Sequence, residues 1–173
     1  MTQTITSART SINKSKVPAL FGLADRRGAW LPGTLNLDFG GGRYDTASEW
    51  MLTRGVVSLV YDPYNRTDEH NQGVIDAIVC SGGADTVTCS NVLNVIREPD
   101  ARDAVIRGCY DALKAGGTVY FTVYEGDGTG VGRQTGADQW QENRPTADYM
   151  QEVWKWFPGA YRAGKLIIAP DPN

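Results

Sequence analysis

An apolar strand that empties into three glycines restricts this chain more than any other feature. Leu35-Asn36-Leu37-Asp38-Phe39 runs into Gly40-Gly41-Gly42, and a second apolar run, Ser58-Leu59-Val60-Tyr61, ends in Asp62-Pro63. Glycines after a strand allow a sharp turn and let the backbone approach a bound molecule closely. An acid at the end of the next strand stands where it can accept hydrogen bonds from ribose hydroxyls. Asp62 lies twenty positions after Gly42, the spacing expected of such an acid. The pair reads as a nucleoside-binding end of an α/β sheet.

The rest of the chain repeats strand and helix. Strands are expected at about 34–39, 56–61, 85–90, 117–124 and 164–169. Between them, Asp45 offers an N-cap for a short helix stopped at Gly55. Val74, Ile75, Ile78 and Val79 give residues 68–80 a helical rather than an alternating spacing. Pro99 opens the clearest helix, with Ala101, Ala104, Val105, Gly108, Cys109, Ala112 and Leu113 on one stripe and Gly116-Gly117 beyond it. Val17 to Leu23 forms a short apolar element, 126–136 a glycine-rich loop, and 146–157 a last helix. Such alternation predicts a mostly parallel, doubly wound sheet with right-handed crossovers. The whole of 1–173 reads as one domain, with a polar segment, 1–16, expected to be mobile.

Composition removes other classes. A net charge of −3 argues against a uniformly basic nucleic-acid surface. The three cysteines are odd in number and widely spaced, which fits reduced thiols rather than a disulfide framework. There is no apolar run of membrane-spanning length and no apolar signal core at Met1–Thr6, so no membrane partner and a cytoplasmic location are expected. The single histidine, His70, lies in a polar run and is expected to be a solvated surface residue. With one histidine and no CxxC or HExxH spacing, a metal site or a histidine-based acyl-transfer device is disfavoured.

The glycine turn also separates two nucleoside-binding types. A dinucleotide fingerprint places a third glycine where this chain has Asp45. Asp38-x-Gly40-x-Gly42 resembles instead the class I S-adenosylmethionine (SAM)-dependent methyltransferases. Ala84 to Ile96 is similar to the fourth strand of that family and the turn after it, and Ala112 to Phe121 to its helix-turn-fifth-strand segment. The likeness covers about 34–125. It implies a Rossmann-like fold, methyl transfer from SAM, and a cofactor site drawn from Asp38, Gly40, Gly41, Gly42, Asp62, Pro63, Asp85 and Asn91. Two departures accompany it. Too few residues separate Asp62 from the strand at 85 for the family's third strand, unless Ala77 to Cys80 is a stub of it, and the chain ends where a closing antiparallel hairpin would be incomplete. A shortened sheet leaves an exposed edge through which a second copy could pair. More narrowly, Ala8 to Lys16 and the tail from Val123-Tyr124-Glu125-Gly126 through Gly164-Lys165-Leu166-Ile167 resemble methyltransferases associated with DNA phosphorothioation systems, with phage relatives in view.

Methyl transfer asks mainly for alignment and exclusion of water, so a catalytic base is optional. Candidates stand after the fourth and fifth strands: Asn91 and Asn94, then Tyr124 and Glu125, each with a plainer reading as a cap, a rim aromatic or a solvated loop carboxylate. The loop 126–136 is a candidate lid. Trp140, Gln141, Asn143 and Arg144 could either stack on and hydrogen-bond a base or cover the sheet. Trp154, Trp156 and Phe157 are expected in the core or at a subunit interface. Ser90-Asn91-Val92-Leu93 is not the Asn/Asp-Pro-Pro-Tyr signature of DNA amino-methylating enzymes, Asp62-Pro63-Tyr64 follows the wrong strand for it, and no Pro-Cys pair exists for attack at cytosine carbon 5. The acceptor, small molecule or nucleic acid, is left open, as is a non-catalytic module that binds SAM or a partner protein.

Overall fold

The structure, a computed structural model, describes residues 3–8 and 14–173. The mobility expected of 1–16, where it falls on 1–2 and 9–13, and the Arg9 to Asn13 part of the N-terminal likeness lie outside the described residues. In chain order the elements are α1 (Ala19–Asp25), β1 (Leu35–Phe39), α2 (Thr46–Leu52), β2 (Val57–Tyr61), α3 (Asp68–Cys80), β3 (Ala84–Ser90), α4 (Pro99–Asp111), β4 (Leu113–Thr122), β5 (Arg133–Gly136), β6 (Gln139–Gln141), α5 (Met150–Val153), β7 (Tyr161–Ala163) and β8 (Leu166–Pro170).

One sheet has the order β2-β1-β3-β4-β8-β7. Its first four strands are parallel, and β8 runs antiparallel between β4 and β7. This is the doubly wound, mostly parallel α/β arrangement that the strand-helix alternation predicts. The closing antiparallel hairpin, expected to be incomplete, is present as β7–β8: the turn at Gly164 lets a three-residue strand fold back on β8.

Beyond β2 there is no further strand among the described residues, and Ala77 to Cys80 is the last part of α3 rather than a stub. The first turns of α3 take the place of a neighbouring strand. Asn71 donates its Nδ2 to the Asp62 carbonyl and accepts the Asp62 amide, both at 3.0 Å, as a strand's peptide group would. The His70 Nε2 lies 2.8 Å from the Val60 carbonyl, so this exposed ring caps the edge as well as meeting water.

Both sheet faces are covered. One core packs α3, α4, Tyr149 and Phe157 against the sheet; the other packs α1, α2, Trp30 and Tyr120. β8 shows the period-two logic directly, with Ile167 and Ala169 in the first core and Leu166 and Ile168 in the second. Cys89 and Cys109 are buried and Cys80 is exposed, all as free thiols. Of the three late aromatics, Phe157 is buried, Trp156 packs at the core's edge and Trp154 is 41% exposed.

Three local expectations are corrected. Asp45 makes no side-chain cap on α2, because its carboxylate pairs with Arg66 at 2.7 Å. The helix expected over 146–157 is a 3-10 turn, Thr146–Tyr149, followed by the single turn of α5. The glycine-rich loop is structured at its end, where Arg133–Gly136 pairs with Gln139–Gln141 as the hairpin β5–β6.

Candidate active site

Backbone chemistry fixes the glycine turn. Gly40 (φ 75°) and Gly42 (φ 81°) adopt the left-handed conformation that side chains resist. Gly41 has an ordinary φ but no room, because a Cβ there would run into the Asp38 carboxyl group. The Gly40 amide donates to the Tyr61 carbonyl at 2.7 Å. The Gly42 amide donates to the Asp62 carboxylate at 2.9 Å, and the Gly42 carbonyl accepts Arg66 Nε at 2.8 Å. The turn is thereby clamped from both sides of the same residue.

Asp62 is only 5% exposed and is densely engaged. One carboxylate oxygen accepts the amides of Tyr64 and Asn65, both at 2.9 Å, the other accepts Gly42, and Asn65 Nδ2 approaches both at 3.2 Å. Asp38 lies beneath the turn, 2% exposed. Burial pushes its carboxyl up to about 7; the Thr88 hydroxyl donating at 2.9 Å opposes this, Asp62 adds to it, and Arg66 works against it.

Gly40, Gly41, Gly42, Asp62, Pro63 and Asn91 all line one cavity of about 700 Å³ at the carboxyl ends of the parallel strands. Tyr124 and Asn94 line it too. Asn91 holds a left-handed φ of 57°, which asparagine tolerates better than most residues, while its amide donates to the Thr122 carbonyl at 2.8 Å. Asn94 is a bracket: its side chain accepts the Tyr124 amide and reaches Gln141, both at 3.2 Å.

Three candidates are placed elsewhere. Asp85 sits at the amino end of β3, away from the cavity, where it accepts the Leu35 amide at 2.8 Å and pairs with Lys114. It ties β1 to β3 and does not line the cavity. Glu125 accepts the amide and hydroxyl of Thr146, both at 2.8 Å, and pairs with Lys165 at 3.1 Å. Those donors hold its carboxyl down at about 2, which removes it as a general base. Asp38 does not line the cavity either; it supports the turn from below.

Of the later candidates, Trp140, Gln141 and Asn143 line the cavity and Arg144 does not. Arg144 instead pairs with Glu152 at 2.7 Å and lies over the Tyr149 ring. Glu152 also binds Arg102, which is 3% exposed and bonded to Glu142 and to the Ile96 and Arg97 carbonyls. This buried network anchors β6 and α5 to α4.

The unforeseen contribution comes from the N-terminus. Residues 3–8, expected to be mobile, are docked on the molecule with Ile5 buried, and Gln3, Thr6, Ser7 and Ala8 line the cavity. Ser7 Oγ donates to the Val95 carbonyl at 3.0 Å and accepts the Trp140 amide at 3.2 Å. The Thr6 amide donates to Asp138 at 2.7 Å. An apolar residue, Ile5, in a polar stretch is the sequence sign of this docking.

No protein-family model matches the sequence, and no curated protein matches it. Solved structures do. A 1,6-didemethyltoxoflavin N1-methyltransferase from Burkholderia thailandensis, with bound 1,6-didemethyltoxoflavin and S-adenosylhomocysteine (SAH), is similar with a TM-score of 0.64 at 15% identity, over 90% of this chain and 77% of that one. A magnesium protoporphyrin IX methyltransferase from Synechocystis PCC 6803 with bound SAM gives 0.54 at 16% identity, over 88% and 76%. A 16S rRNA N2 G1207 methyltransferase from T. thermophilus, in complex with SAM and guanosine, gives 0.56 at 13% identity, over 94% of this chain but 45% of that one. No helix among the described residues is long and apolar enough to cross a membrane. What these likenesses establish is architecture: the chain has the Rossmann-like fold of class I methyltransferases.

Proposed function

We propose that this chain is a SAM-dependent methyltransferase whose cofactor lies between the Gly40–Gly42 turn and Asp62. The observation that carries this reading is that turn and acid open on the same cavity, with Asn91 and Tyr124 on its wall. The residues fit such a cofactor: the turn brings bare backbone to the cavity where any side chain would clash or strain, and Asp62 offers a carboxylate to a sugar's hydroxyls. Arg66 and Asn65 keep the turn and the acid in register.

SAM, when bound, supplies an activated sulfonium methyl: an acceptor lone pair forms the new bond to carbon while the carbon–sulfur pair stays on sulfur. The chain's own task is to align that acceptor and exclude water. Glu125, engaged by Thr146 and Lys165, is given no part in the transfer. The solved structures with SAM or SAH bound support this reading through their shared fold. The likeness to phosphorothioation-associated and phage methyltransferases rests on sequence segments alone.

Calorimetry with SAM, SAH and NAD followed by radiolabelled methyl transfer tests the proposal. Binding of SAM and SAH without NAD, with label appearing in an acceptor, supports it; NAD binding without SAM overturns it. One observation favours a second reading, a module that binds without turnover: the Asp62 carboxylate already accepts three backbone amides. SAH binding without methyl transfer to small-molecule, nucleic-acid or protein fractions selects that reading.

A further inference from the structure

Resting on the SAM reading, which seats the cofactor in the cavity, we infer that residues 3–8 are its gate. The cofactor enters and leaves when this strap detaches from the β5–β6 hairpin, and bound cofactor holds the strap down.

The strap lines the cavity and is tied to three of its surroundings. Towards the segment after β3, the Thr4 amide donates to Glu98 at 3.3 Å and Ser7 Oγ donates to the Val95 carbonyl at 3.0 Å. Towards the hairpin, the Thr6 amide donates to one Asp138 oxygen at 2.7 Å, the Thr6 hydroxyl donates to the other, and Ser7 Oγ accepts the Trp140 amide at 3.2 Å. Beside the glycine turn, Arg43 donates to the Ala8 carbonyl at 3.1 Å. Thr6 thus engages both oxygens of one carboxylate, and this pair is the latch. Little else holds the strap. Ile5 is its one large apolar side chain, and Ser7 is kept at a left-handed φ of 53°, which strains a serine. The hairpin is a two-stranded sheet of its own, so undocking the strap breaks no pairing of the main sheet. A segment with one apolar anchor and a strained residue opens locally, well below the free energy of global unfolding.

A path of hydrogen bonds joins the strap to the acid after β2. The Arg43 nitrogen that donates to Ala8 also donates to Asn65 Oδ1 at 3.0 Å, and the Asn65 amide donates to the Asp62 carboxylate at 2.9 Å. A sugar seated on Asp62 fixes Asn65, Asn65 orients Arg43, and Arg43 holds Ala8. Gln3, Thr6, Ser7 and Ala8 also offer the cofactor contacts that exist only while the strap is docked. That is the difference in affinity between open and closed forms that a ligand needs to shift such an equilibrium.

The test mixes the full chain with SAH and follows tryptophan fluorescence by stopped flow, in the wild type, Asp138→Ala and Thr6→Val. The valine variant nearly keeps the shape of threonine and so guards against misfolding of the other. Loss of the latch is expected to raise association and dissociation rate constants together, by about fivefold or more in Asp138→Ala, with dissociation rising further. Rates unchanged in both variants overturn the gate. Faster dissociation alone also overturns it, because the strap is then a wall of the site and not a barrier to entry. Amide hydrogen exchange of residues 4–8, read by mass spectrometry, is expected to slow about tenfold or more when the wild type is saturated with SAH. Equal exchange with and without SAH overturns the coupling through Arg43. Failure of SAH to bind the wild type is a separate result, and it overturns the cofactor reading itself.

Discussion

The Asp62 carboxylate accepts the Gly42 amide at 2.9 Å, so the acid after the second strand and the turn after the first are one mechanical unit. Arg66 completes it by donating to the carbonyl of the same glycine at 2.8 Å. The shape offered to a ligand thus depends on a residue twenty positions away in sequence.

Asp62→Ala leaves the Gly42, Tyr64 and Asn65 amides without their acceptor and removes the carboxylate from the cavity. Each orphaned buried donor costs about 1–3 kcal/mol. SAH binding is expected to weaken at least tenfold and the thermal midpoint to fall. Calorimetry and thermal melting check both, and an unchanged dissociation constant removes Asp62 from the site.

Gly41→Ala drives a methyl group into the Asp38 carboxyl, a contact the buried turn has little room to relax. Overpacking of this kind costs about 1–3 kcal/mol. Loss of SAH affinity is expected together with a lower denaturation midpoint. Gly73→Ala, inside α3 with open space around its Cβ, is the control: SAH affinity should stay unchanged and the midpoint should not fall, since alanine suits a helix interior better than glycine.

Arg102→Met removes the guanidinium that Glu142 and Glu152 share while roughly keeping its volume. Breaking a buried ion pair from one side costs about 3–5 kcal/mol, because the remaining charge stays buried. Urea denaturation should register most of that loss. A change within about 0.5 kcal/mol would match an ordinary surface substitution and contradict the network's role.

The pH dependence follows from Asp38. Its folded carboxyl lies at about 7, above the ordinary 3.8, so between those values the folded chain holds a proton that the unfolded chain has released. Stability contributed by this group therefore falls as pH rises from about 4 to about 7. Asp38→Asn should flatten that slope in denaturation curves taken across the window. Glu125 acts oppositely: held at about 2 against an ordinary 4.5, it contributes stability above 4.5 that is lost as pH falls towards 2.

Much of the sheet was legible in the sequence because its signals are local. Glycines after an apolar strand, a proline opening α4 and β-branched runs each act within a few residues. The short distance from Asp62 to β3 also revealed the shortened edge. What escaped depends on distant partners. Asp85 reads as a strand-end acid until Leu35 and Lys114 are brought beside it, and Glu125 reads as a free carboxylate until Thr146 and Lys165 close on it. Asp45 has the chemistry of a cap, yet Arg66 outcompetes the helix amides for it. Thr6 and Ser7 give no local sign that they meet Asp138 and Trp140, more than a hundred positions later.

A crystal structure of the chain with SAH bound tests the central claim most directly. The account predicts density in the cavity with the ribose hydroxyls on Asp62, the amino-acid end against Gly40 to Gly42 and the sulfur facing Asn91 and Tyr124. An empty cavity at saturating SAH, or SAH seated away from the glycine turn, would contradict it.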